Sequence, residues 1–129
     1  TGLNPGVKYA VRVKAINSVG ASKLSSTLFV TTLAVLPSSP VVTLKSVTAT
    51  GAVLNWVAPA NGGAKISDYK VEYSTDGGNT WLTVSKSAST STSLTLKNLK
   101  TKTSYLFRVS AKNSVGYSTP SATLSAATL

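Results

Sequence analysis

The chain has no cysteine, no histidine and no methionine, and only three carboxylate side chains, Asp68, Glu72 and Asp76. These gaps exclude a good deal of chemistry. There can be no disulfide and no thiolate nucleophile, no imidazole base to activate a serine, and no Cys/His zinc or iron–sulfur site. Three carboxylates offer little ligand charge for calcium or magnesium. A Ser–Lys dyad would need a buried lysine with a lowered pKa, which strands of alternating exposure do not suggest. The composition therefore predicts no catalytic residue, no metal and no cofactor.

Long apolar runs are missing too. The longest near the middle, Leu33 to Leu36, stops at Pro37, far short of the roughly 18 residues that span a bilayer. No signal-peptide pattern opens the chain, and TGLNPGVKY reads as the inside of a domain, so a longer parent is expected. Zero cysteines suits a reducing compartment or a secreted bacterial protein without disulfides.

What is present is a 129-residue chain, 42% hydrophobic, 12% charged and carrying a net charge of +10, with 38 serines and threonines. The hydrophobic share is enough for a packed core. The charge favours anionic partners such as nucleic acid, acidic glycans or wall polymers. Yet 11 of the 13 cations are lysines, and they are scattered. Solubility is the plainer explanation.

An internal repeat organises the chain. Shifted by 96 positions, residues 1–33 lie on 97–129 without a gap, with 15 of 33 positions identical. Tyr9 falls on Tyr105, Arg12 on Arg108, and NSVG at 17–20 on NSVG at 113–116. The period is about one domain. A boundary is expected at LAVLPSSP, where Pro37 and Pro40 mark an extended linker.

Beyond the linker, short alternating runs rich in Val, Leu, Thr and aromatics predict strands near 41–48, 51–58, 66–75, 80–86, 92–97, 103–113 and 121–128. No stretch carries a helical stripe. Seven short strands with turns between them argue for a two-sheet antiparallel sandwich. Alternation then names the inward residues. They are Val42, Leu44 and Val47; Ala52, Leu54 and Trp56; Tyr69, Val71 and Tyr73; Leu94 and Leu96; and Tyr105, Phe107, Val109 and Ala111. On the outward face, Glu72 and Arg108 are expected to pair across neighbouring strands, a pair worth under about 1 kcal/mol.

Several of these features together resemble a fibronectin type III domain over about 37–129. They are the Pro-rich opening SSP, the Trp56-x-x-Pro59 pattern, YKVEY at 69–73, and LKNLKTKTSYLFRVSAKNSVGYSTPS at 96–121. The resemblance implies an all-β, immunoglobulin-like sandwich of seven strands. It also implies a tyrosine corner at Leu99 and Tyr105, where the ring fills the end of the core and the hydroxyl bonds to backbone. Residues 1–36 look like the last two strands and linker of a preceding copy, with Leu3 and Tyr9 at the same spacing. A lone hairpin is marginal in water. Either its other strands were cut away, the simpler reading, or another chain supplies them.

Three motifs invite a functional reading. STDGGNTW at 74–81 matches the Asp-box pattern of sialidases and other propellers at Ser74, Asp76, Gly78, Thr80 and Trp81. In those families it is a fold element away from the catalytic centre. A glycosidase would also need an acid and a nucleophile, so a structural hairpin is expected. Lys97, Lys100 and Lys102 cluster before the sixth strand without an aromatic platform or an Arg fork, and suit a solvated loop better than an anion site. The Ser/Thr-rich run at 85–93 reads as a polar loop and edge strand, with O-linked sugars as the alternative. NSVGYSTP at 113–120 occupies the family's common partner-binding loop, with Tyr117 the expected contact residue. The Arg-Gly-Asp tripeptide of some members is absent, so integrin adhesion is not implied.

The fold hosts many unrelated roles. The leading expectation is a non-catalytic spacer or adhesion module of a larger secreted or cell-surface protein, bacterial in style. Its expected partners are neighbouring domains of the same chain, and a protein or anionic glycan or wall polymer, with no specific nucleic acid. Two alternatives stay open. One is an accessory domain of a secreted polysaccharide-degrading enzyme. The other is a self-assembling subunit of a filament, surface layer or virus tail.

Overall fold

The computed structural model describes residues 2–129. Its strands are β1 (Lys8–Val11), β2 (Leu28–Thr31), β3 (Val41–Val47), β4 (Ala52–Val57), β5 (Asp68–Ser74), β6 (Leu82–Thr83), β7 (Ser93–Leu96), β8 (Ser104–Lys112) and β9 (Leu124–Ala127). All pairings are antiparallel. The first two strands form a hairpin of their own; the other seven make one sheet ordered β3-β4-β7 and another ordered β6-β5-β8-β9. Among the described residues no helix is long and apolar enough to cross a membrane.

Apolar side chains at every second position place one face of each sheet against the other. Leu54, Tyr69, Phe107, Val71, Val109 and Ala111 are buried to 2% exposure or less, and Trp56, Leu96, Tyr105 and Leu99 close the same cluster. Trp56 meets Tyr69 edge-on with ring centroids 5.3 Å apart, and Tyr105 stacks on Phe107 at 5.8 Å. A shift of register between Leu44 and Ser46 resets the phase of β3. Val42, Leu44 and Val47 consequently lie opposite the core residues Trp56, Leu54 and Ala52. These three stay half-buried, as does Tyr73.

The tyrosine corner is formed: the backbone N–H of Lys100 donates to Tyr105 Oη at 2.9 Å. The chain after β8 is held by hydroxyls. The amides of Val109 and Ala111 donate to Ser121 Oγ and Ser118 Oγ, each at 3.0 Å, and Thr103 N donates to Thr128 Oγ1 at 3.0 Å. Residues 2–33 repeat this pattern: Asn4 N donates to Tyr9 Oη, Val13 N to Ser25 Oγ, Ala15 N to Ser22 Oγ and Val7 N to Thr32 Oγ1.

The strand expected over 80–86 is much shorter. The ladder with β5 holds only Leu82 and Thr83, because residues 76–80 close a turn; beyond it a single backbone bond from Val84 N to Val71 O at 2.8 Å and the Lys86–Asp68 ion pair at 2.6 Å keep the chain along β5.

Candidate functional site

Three places bring polar side chains together. The first is the turn from β5 to β6. Ser74 is buried at 3% exposure. Its Oγ donates to Asp76 Oδ1 at 2.7 Å and accepts from Gly78 N at 2.9 Å. Asp76 Oδ1 also accepts from Thr80 N at 2.9 Å, and Oδ2 from Thr80 Oγ1 at 2.6 Å. Gly77 and Gly78 take the positive φ that the turn requires, 73° and 92°. The Thr80 hydroxyl and amide, helped by Ser74, hold the Asp76 carboxyl well below the usual carboxylate range. Such a group is a poor proton donor near neutral pH, and its three accepted bonds all serve the turn.

The second place is the outward face of β5 and β8. Glu72 lies opposite Arg108 in register, and Arg108 Nε donates to Glu72 Oε2 at 2.8 Å. The Arg108 guanidinium lies 4.1 Å from the Trp81 ring centre, and Lys70 Nζ is 3.3 Å from Glu72 Oε1. The expected cross-strand pair is formed, and Glu72 is only 7% exposed although strand phase sets it on the outward face. Arg108 thus bridges the Glu72 carboxylate and the Trp81 ring. Burial pushes the Glu72 pKa up, but the bonds from Arg108 and Lys70 outweigh it and leave it lowered. At Asp68, burial is likewise outweighed by Lys86 and the Ser89 amide. All three carboxylates are thus tied to partners inside the domain, and among the described residues no group of three ligating side chains could hold a metal ion.

Further along this face, Lys70 and Lys112 approach the ring of Tyr117 at 5.3 and 5.2 Å. Tyr117 is 39% exposed. Lys97, Lys100 and Lys102 are exposed at the other end of the domain, and the structure does not bring them to Tyr117 or to the β5–β6 turn.

The third place is the junction of the hairpin with the sandwich. Val35 N donates to Gly62 O at 2.8 Å and Ser38 N to Ala60 O at 2.9 Å, so the linker runs as an extended strap along the 60–62 loop. Pro37 and Pro40 are buried. Asn113 is 1% exposed. Its Nδ2 donates to Val35 O at 2.7 Å and to Asn61 O at 2.9 Å, while its Oδ1 accepts from Val115 N and Gly116 N at 2.8 and 3.2 Å. One carboxamide therefore uses both donors and both lone pairs to bind its own loop, the neighbouring loop and the linker. The linker covers this end of the 113–120 loop, which sequence reasoning had assigned to an outside partner. Asn113 itself was missed. The signal for it was the NSVG block shared by both copies.

With this architecture in view, comparison with known proteins is direct. The family model of the fibronectin type III domain matches residues 37–127. The chain belongs to the fibronectin type III family. It is 37% identical over 120 residues to titin of Drosophila melanogaster, covering 89% of this chain and 1% of titin. It is 34% identical over 130 residues to the fast-type myosin-binding protein C of Mus musculus, covering 96% of this chain and 11% of the relative. Among solved structures, a set of titin domains superimposes with a TM-score of 0.68 at 34% identity, over 87% of this chain and 38% of that one. The FN1–FN3 domains of chicken CNTN1 give 0.59 at 28% identity, over 98% and 44%. The chain thus spans a small part of the curated relatives it matches, and it is a structural module of the kind that multidomain proteins carry. Those relatives are animal proteins named for titin and myosin binding. The expectations of an extracellular setting, an adhesive role and a bacterial source find no support among them.

Proposed function

We propose that the chain is a non-catalytic spacer that holds neighbouring modules at a fixed angle. Residues 1–36 are then the closing strands and linker of one fibronectin type III unit, and 37–129 a second unit seated on it. The observation that carries this reading is Asn113, whose buried carboxamide ties the linker to two loops of the sandwich. A flexible tether needs no such bond. The tied carboxylates speak against chemistry within the unit. Contact with an anionic polymer is supported by the charge of +10.

The test uses the absence of native cysteine. Spin labels on Ser26→Cys and Ser125→Cys, one in each unit, should give one narrow distance distribution by double electron–electron resonance. A broad distribution while the paired amides of β1 and β2 stay protected from exchange, so that the hairpin is folded, overturns the spacer reading.

A further inference from the structure

The joint sets two similar ends of the fold side by side. Pro5 and Gly6 form the end of the hairpin unit that meets the sandwich, and the 96-residue shift places Thr101 and Lys102 at the same position of the sandwich unit. Both residues at the second site are left-handed: Gly6 has φ 68° and Lys102 φ 48°. Their surroundings differ. A Cβ built on Gly6 would overlap the Gly63 carbonyl and lie 2.6 Å from Gly63 Cα; a Cβ built on Gly63 would lie 2.6 Å from Gly6 N. Real Cβ atoms do not come so close to backbone, so the two glycines touch main chain to main chain. At the other end Lys102 carries a full side chain, and Lys100 stands where the hairpin unit has Asn4.

We propose that Gly6 is a specificity-determining residue of the joint. The surface made by Asn61–Gly63 and Asn113–Gly116 accepts an end of this fold only when glycine occupies that position and an extended linker follows. The end built by residues 98–102 is excluded, because Lys102 would drive its side chain into Gly63. The order of modules is therefore written in one glycine: the joint after residues 2–34 is stiff, and a unit placed against Lys102 cannot be seated the same way. This inference rests on the spacer reading.

The doubly labelled chain tests it. Gly6→Asn keeps a residue that tolerates positive φ but adds the Cβ, and Gly6→Lys copies the other end. Gly2→Asn is the control, since Gly2 has φ 83° and nothing within 4 Å of an added Cβ. Both Gly6 variants should broaden the distance distribution, and the Asn113 side-chain amide protons should lose their protection from exchange. Gly2→Asn and Lys102→Gly should match the parent in both readouts. If the Gly6 variants stay narrow and protected, or if Gly2→Asn broadens as much, the inference falls. If the parent is already broad while its β1 and β2 amides are protected from exchange, it is the spacer reading that fails.

Discussion

Residues 2–33 and 98–129 are one hairpin in two settings. The tyrosine hydroxyl, the two serine hydroxyls and the threonine hydroxyl accept the same backbone amides in both. Burial separates them. Val109 is fully buried, and Val13 at the same place is 66% exposed; Phe107 is 1% exposed and Val11 42%. Local sequence thus specifies the turn, the register and the hydroxyl bonds. Removing the side chains from water takes the five strands β3 to β7, which pack on only one of the two copies.

The comparison breaks or sharpens under substitution. The largest contrast should be Phe107→Ala against Val11→Ala. The first opens the core and should cost about 3–5 kcal/mol; the second removes an exposed side chain and should stay within about 0.5 kcal/mol. Urea midpoints measure both, and equal costs would mean that the hairpin face is covered in solution. Trp56→Ala, which touches only the sandwich, belongs with the first, at about 3–5 kcal/mol.

A smaller difference should separate Tyr105→Phe from Tyr9→Phe. The first strands the Lys100 amide beside a buried ring and should cost about 1 kcal/mol. The second leaves Asn4 to water and should cost less. The fluorescence-monitored unfolding of the two variants decides it.

The smallest effect is electrostatic. Glu72 has a lowered pKa in the fold, so it binds its proton more weakly there than in the unfolded chain. Its stabilisation is present above the ordinary value of 4.5 and is lost as pH falls through the lower folded value. Stability should therefore decline on acidification below about pH 4.5, and Glu72→Gln should flatten that part of the profile. A profile unchanged by the substitution would place the acid sensitivity elsewhere.

Much of the sandwich was legible because its signals are local. The alternation of YKVEY puts Tyr69 and Val71 on one face, and the six-residue step from Leu99 to Tyr105 marks the corner. The burial of Glu72 escaped because strand phase reports which face a side chain takes, not what gathers over it; there it is held by Arg108 and Lys70, and Arg108 in turn lies on Trp81, which arrives from the next turn. Asn113 escaped for a similar reason. Its partners Val35 and Asn61 lie 78 and 52 residues away, and no periodicity joins positions so distant.

The serine hydroxyls that close the chain onto β8 have one more consequence. Modules strung on one polypeptide meet at high effective concentration, and neighbours of similar sequence can exchange strands while folding. Here the amides of Val109 and Ala111 are already claimed by side chains a few residues further along, and Pro120 offers no donor of its own. An intruding strand would have to displace these hydroxyls before it could pair with this stretch of β8.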